Sequence, residues 1–428
     1  MGPAPLRVLP SLTGLRWVAA LLVFGTHVAG LGLAARSAST GTGTSTDGGS
    51  VTARILTAVF GPGGPVGVSC FFILSGFVLT WSVRPDDSAG TFWRRRFAKI
   101  YPLYALTSLL GMLALATALG LPGPKVLLAQ ALMVQSWVPS QHYSLAMNPV
   151  TWSLSCEAFF YLCFPALLLL LAGARTRTLR VVAAGAVAVP FVVPWLAGRL
   201  FTLGFPVTGE LVDTTPYGGP FQGWVANTLP ATRLAEFVLG IVVAVLVRRG
   251  EWAGPRLPVA AALCLAGYAA THAVGGYPQL VCVTVVPLAL LVGALAEADL
   301  AGRRSPLRGR VMVRLGEASY AFYLIHFLVV MGLGLQLKPL LAAARLSADR
   351  DAPLAWWQVS AAFVLLLGVS LALAWLLHRR VELPLMRRLR PRPTPTARST
   401  VDGTAPGAAT GAPDRPADPA PADPALAA

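Results

Sequence analysis

Long apolar blocks almost free of charge run the length of this chain and limit its architecture more than any other feature. Val18–Leu33, Leu103–Leu121, Ala158–Ala172, Val181–Leu200, Phe237–Val247, Pro258–Ala270, Leu280–Leu295, Ala318–Leu335 and Val359–Leu377 are such blocks. Several reach or approach the ~20 residues that a helix needs to cross a hydrocarbon core of about 30 Å. In lipid every backbone polar group must be paired internally, which leaves helices and closed barrels as the spanning structures. Barrel strands alternate apolar and polar residues over about ten positions. These blocks are apolar all round, so the expected fold is all-α, a polytopic membrane helical bundle of about ten transmembrane helices. Composition agrees: 12% of the residues are charged, against about 25% in a soluble domain.

The spans are expected near 11–34, 64–83, 101–120, 152–172, 179–200, 231–248, 257–274, 279–297, 317–335 and 356–378, with 125–138 as a half-helix or interfacial helix. They form one membrane domain over 1–390. The Pro/Ala-rich stretch 391–428 cannot bury a core and is expected to be a disordered cytoplasmic tail. The first external loop, Ser37–Thr52, is Ser/Thr/Gly-rich and expected to be flexible, and 201–230 is long enough for a small external cap. The first apolar run is too long for a signal peptide and contains His27, so it is expected to be retained as a membrane helix.

The formal net charge of +16 raises the question of a nucleic-acid partner, and its distribution argues against one. With the N-terminus inside, the inner loops hold Arg84, Arg94–Arg96 and Lys99, then Arg175, Arg177 and Arg180, then Arg248, Arg249 and Arg256. Arg303, Arg304, Arg308, Arg310 and Arg314 follow, and then a run from Arg379 to Arg392. The opposite loops are sparsely charged, which is the positive-inside pattern. The expected location is a bacterial cytoplasmic membrane, with both termini cytoplasmic and no nucleic-acid partner. The five cysteines form no CxxC pair, so neither a disulfide framework nor a metal site is indicated.

Ionisable groups inside membrane helices are costly, at least about 2.5–3.5 kcal/mol each on insertion scales, and so mark working positions. His27 falls near mid-membrane, and Arg16, eleven residues earlier, shares its face about 16 Å away along the axis. Histidine titrates near neutrality and can act as a general base, or it can simply bond a neighbouring helix. Arg94, Arg95, Arg96 and Lys99 lie within the segment 92–102 that joins the second and third spans. Such a cluster suits a phosphate-bearing ligand, but it can equally serve topology or headgroup contacts. Ser153 and Glu157 are polar residues near the start of the fourth span, where Thr151 or Ser153 is a candidate cap. Ser319, Tyr323 and His326 follow i, i+4, i+7 spacing and form one polar stripe. Arg233 and Glu236 are spaced to pair as a structural bridge near the external surface.

Taken together these segments resemble the acyltransferase-3 family of membrane O-acyltransferases. The resemblance rests on Ser11-Leu-Thr-Gly-Leu-Arg16 through His27, Gly67–Gly76, Arg95–Pro102, Trp152–Glu157 through Tyr161, Leu315–Tyr320 through His326, and Val381-Glu-Leu-Pro384, in that order over about residues 9–388. Ser69 stands where the family often has Asp, and Lys99 where its Arg-x-x-Arg motif has the second arginine. The resemblance implies an acyl-CoA co-substrate, no bound cofactor or metal, and a hydroxyl acceptor on a glycan or macrolide-like metabolite. It implies His27 as base or acyl relay with Arg16 supporting it. Arg95, Arg96 and Lys99 would be the CoA phosphate-binding segment, with Ser153, Glu157, Tyr323 and His326 lining the passage to the acceptor. The alternative from a different class is a transporter that uses the same intramembrane polar residues. It lacks the internal repeats and paired broken helices that many transporters show.

Overall fold

The computed structural model describes residues 8–31, 51–83, 88–202, 220–274, 281–343 and 354–389. The loop up to residue 50, the segment 203–219 of the expected external cap and the tail 391–428 lie outside the described residues. Among the described residues every regular element is helical. The chain runs through α1 (Pro10–Ala29), α2 (Val51–Phe60), α3 (Gly63–Ser82) and α4 (Ala89–Leu119). Two short helices, α5 (Pro124–Ala131) and α6 (Gln141–Ser144), and two 3-10 turns then lead to α7 (Trp152–Ala172) and α8 (Thr176–Thr202). Next come α9 (Pro220–Asn227), α10 (Pro230–Arg248), α11 (Leu257–Ala270) and α12 (Cys282–Leu300). The last are α13 (Arg310–Glu317), α14 (Ser319–Ala343), α15 (Trp356–Leu377) and, after a π-turn, α16 (Leu383–Leu389).

Nine of the described helical segments are long and apolar enough to cross a bilayer. The tenth expected span is α11, whose 14 residues rise only about 21 Å at 1.5 Å per residue. The structure also moves the start of the third span. The Arg/Lys segment 92–102 is not a loop, because α4 starts at Ala89 and runs through Pro102. Ser88 caps it by accepting a hydrogen bond from Thr91 N–H at 3.2 Å. Proline removes one ladder bond but is tolerated inside membrane helices, where neighbouring groups satisfy the freed carbonyl.

The centre of the bundle is α1, packed on α3, α12, α13 and α14, and α10, packed on α3, α7, α8 and α12. The contact between α3 and α10 is backbone to backbone. A Cβ on Gly76 would collide with the Phe237 carbonyl, and one on Gly240 with the Ile73 carbonyl. Small residues allow such approach where there is no hydrophobic force between helices. Aromatic edges fill the rest: Trp17 meets Phe322 at 5.0 Å and Phe72 meets Phe160 at 5.0 Å between ring centroids.

At one end of the bundle, called here the basic end, α1, α4 and α14 begin and α3, α7, α10 and α12 finish. Helix α1 has no cap of its own there, since its N-cap position is Leu9. Asp299 of α12 serves instead, accepting from Ser11 N–H at 2.8 Å and Ser11 Oγ–H at 2.7 Å. Arg248 donates to the Thr80 carbonyl at 2.8 Å, and Arg249 to those of Ala172 and Ala174 at 2.6 and 2.8 Å. Both place a cation at a helix C-terminus, where the dipole favours it.

Candidate functional site

A cavity lies in the basic half of the bundle, between α1, α3, α4, α7 and α14. Helix α3 gives it an apolar wall of Val68, Phe71, Phe72, Leu74, Val78 and Leu79. Arg16 from α1 and Arg96 and Lys99 from α4 line it too, within electrostatic range of the Glu157 carboxylate. Because α4 is helical here, Arg96 and Lys99 fall on one face at i, i+3. Arg95 projects off that face and does not line the cavity. The Tyr161 hydroxyl donates to Glu157 Oε2 at 3.1 Å and meets Ser75 Oγ at 3.3 Å.

The inner end of the cavity is closed by Tyr323. Its hydroxyl is 2.7 Å from Ser153 Oγ, and both groups reach the Val150 carbonyl at 3.1 Å. Ser153 is thus occupied with Val150 and Tyr323, and neither it nor Thr151 caps α7 through its side chain. Behind Tyr323, with ring centroids 5.9 Å apart, lies His326. His326 is fully buried, and its Nε2 is 3.0 Å from His27 Nδ1.

Acceptor chemistry settles the protons on this pair when both rings are neutral. His326 Nδ1 is 3.2 Å from the Phe322 carbonyl, which can only accept, so Nδ1 carries the proton and Nε2 holds a lone pair. His27 Nδ1 is then the donor, and His27 Nε2 keeps its lone pair. An imidazole oriented by a partner on one nitrogen and basic at the other is the arrangement that general-base catalysis needs. The half-buried His27 ring is held from the other side by Phe327, edge-on at 4.9 Å.

The structure thus brings Arg16, Arg96, Lys99, Ser153, Glu157 and Tyr323 to one cavity, and pairs His27 with His326 beyond its inner wall. Arg16 belongs to the cavity rather than to the His27 level, three helical turns away. Four further lining residues, Ser75, Tyr161, Ser319 and Tyr320, were not singled out as site residues. The i, i+4 spacing of Glu157 and Tyr161 was the available signal for one of them, and the stripe through Tyr323 for Ser319. The Arg233–Glu236 pair forms as its i, i+3 spacing suggested, in the first turns of α10 at the end away from the basic end. It is buried between α10 and α3, with Nε 3.0 Å from Oε2, a second guanidinium bond to Ser69 Oγ at 3.1 Å, and the cation over the Phe72 ring. His378 also has a partner that sequence reading passed over. Its Nδ1 is 2.8 Å from Glu382 Oε2 in the π-turn.

A multi-pass helical bundle with a cavity lined by cations and closed by Tyr323, and a histidine pair behind that residue, is the frame of a membrane-embedded enzyme. The chain belongs to the acyltransferase-3 family, which it matches as an acyltransferase domain over residues 9–379. It is 40% identical over 415 residues to acyltransferase MdmB of Streptomyces mycarofaciens, covering 95% of this chain and 99% of that one. It is 28% identical over 345 residues to exopolysaccharide production protein ExoZ of Rhizobium meliloti (strain 1021), covering 77% of this chain and 92% of that one. No solved structure matches it. The protein is an O-acyltransferase of the membrane.

Proposed function

We propose that the protein moves an acetyl group from acetyl-CoA to a hydroxyl of a glycan or macrolide-like metabolite. In this reading it lies in the bacterial cytoplasmic membrane with both termini and the basic end toward the cytoplasm, where acyl-CoA is found. The observation that carries the reading is the order of groups along one path. Cations at the basic end suit the CoA phosphates, an apolar wall follows, and the path ends against Tyr323, with the His27–His326 pair directly behind it. CoA phosphates bind at Arg96 and Lys99 with Arg16 nearby, and the thioester points inward.

His27 Nε2 accepts the proton of the acceptor hydroxyl as its oxygen bonds to the thioester carbonyl carbon. The tetrahedral intermediate collapses by breaking the carbon–sulfur bond. The proton on His27 then passes to the departing thiolate, giving the ester and free CoA and returning His27 to its starting state. His326 holds the His27 ring in the required tautomer. The apolar surroundings exclude water, which would otherwise hydrolyse the thioester and weaken each charge in the site.

The test is radiolabelled acetyl-CoA supplied to the purified full chain in proteoliposomes, with glycans and macrolides as two arms of an acceptor panel. Label on a hydroxyl of either class, with an equal amount of free thiol released, supports the reading and selects the acceptor. Failure of acetyl-CoA where a longer acyl-CoA serves would overturn the acetyl assignment, and failure of every CoA thioester the donor assignment.

A further inference from the structure

One hydroxyl in the cavity has unused hydrogen-bonding capacity. Ser319 opens α14, is fully buried and lines the cavity, and its Oγ has no hydrogen-bond partner. The other lining hydroxyls are engaged: Ser75 and Tyr161 with each other, Ser153 and Tyr323 with each other, and Tyr320 with the Ile100 carbonyl at 2.7 Å. A serine or threonine in a helix commonly satisfies itself on the carbonyl four residues back. Thr80, Thr107 and Ser360 do so in this chain, and Ser319 does not. Buried polar groups without partners are rare and call for an explanation, and for one in a cavity wall a bound ligand group is such an explanation.

The position of Ser319 narrows what that ligand group is. It neighbours Tyr320, whose hydroxyl is tied to Ile100, the residue after Lys99, so it stands close to the depth of the cations. Tyr323 is one turn further in, and His326 is seven residues on, about 10 Å along the axis. A donor with its phosphates at Arg96 and Lys99 and its thioester near the histidine pair must pass Ser319 with the arm that joins the two. That arm carries amide carbonyls, which are acceptors that an apolar wall cannot satisfy.

We propose that Ser319 is a donor-positioning residue, its Oγ–H donating to an amide carbonyl of the pantetheine arm of the CoA thioester. This rests on the acyl-CoA reading above. The bond fixes the reach of the arm and so the depth at which the thioester halts before Tyr323.

The experiment is equilibrium binding of acetyl-CoA, free CoA and adenosine 3′,5′-bisphosphate (which has the phosphates but no arm) to the full chain in nanodiscs. Wild type and Ser319→Ala are compared, with thermal melting of both. Loss of one neutral hydrogen bond is about 2–12-fold in affinity. Ser319→Ala is expected to weaken acetyl-CoA and CoA alike by that factor and to leave the bisphosphate unchanged. It should melt no lower than wild type, because a buried hydroxyl without a partner has been removed. Equal binding of all three ligands by both proteins, or equal weakening of all three, overturns the assignment. Weakening of acetyl-CoA alone overturns the amide in favour of the thioester carbonyl. A wild type that binds neither CoA ligand overturns the donor reading and this assignment with it, so the two failures are told apart.

Discussion

Replacing His326 tests whether the histidine pair works as a unit. His326 Nε2 is the acceptor for His27 Nδ1–H, at 3.0 Å. His326→Leu keeps most of the buried volume but removes the ring that fixes that N–H, leaving His27 the Val23 backbone carbonyl as its partner. Loss of one neutral hydrogen bond, with the other kept, is roughly 2–12-fold in rate at about 1.36 kcal/mol per decade. Because His326 does not line the cavity, the loss should fall on kcat and leave the donor KM within about 2-fold. His326→Gln offers an amide oxygen at a similar reach and should recover most of the rate. The assay is initial-rate release of CoA thiol in proteoliposomes at saturating acceptor, with melting temperature as the control for folding. A His326→Leu enzyme with wild-type kcat, or one whose deficit lies entirely in KM, would refute the tautomer argument.

Other perturbations separate donor binding from the scaffold. Lys99→Ala and Arg96→Ala each remove a charge-assisted contact to phosphate and should raise the acetyl-CoA KM about 10–100-fold, read from donor titrations at fixed acceptor. Asp299→Ala strips the first turn of α1 of the acceptor for both Ser11 bonds. It should cost about 1–3 kcal/mol, seen as a lower melting temperature in detergent, with Asp299→Asn intermediate. Gly240→Ala drives a Cβ into the Ile73 carbonyl and should destabilise by at least about 1–3 kcal/mol. Equal melting of that variant and wild type would show that α3 and α10 separate without cost.

What could be read from the sequence follows from what lipid forbids. A lone polar residue in an apolar block stands out, so His27, Glu157, Tyr323 and His326 were visible without a structure. Their pairing was not, because no local signal says that α1 packs on α14 across 299 residues. The segment 92–102, with Pro102 at its end, was read as a connection between two spans. The bundle tolerates the proline, which moves Arg96 and Lys99 from a loop to the wall of a cavity. Ser75 was hidden because a serine in a Gly-containing apolar run has a common structural use, and only its meeting with Tyr161 gives it another. Asp299 lies at the end of an apolar block, where charge is expected, and its role as a cap for a helix from the far end of the chain is a tertiary fact. The His378–Glu382 pair was legible in principle, since i, i+4 spacing brings such residues together on any helix.

The central claim is that His27 is the base for acyl transfer from acyl-CoA. Its most direct test is transfer of label from acetyl-CoA to the acceptor by wild type and His27→Ala, with donor binding measured on the same preparations. General-base catalysis contributes about 10²–10⁴-fold. The account predicts that His27→Ala binds acetyl-CoA as wild type does and transfers at least about 100-fold more slowly. A His27→Ala protein that binds the donor and acylates the acceptor at the wild-type rate would contradict it.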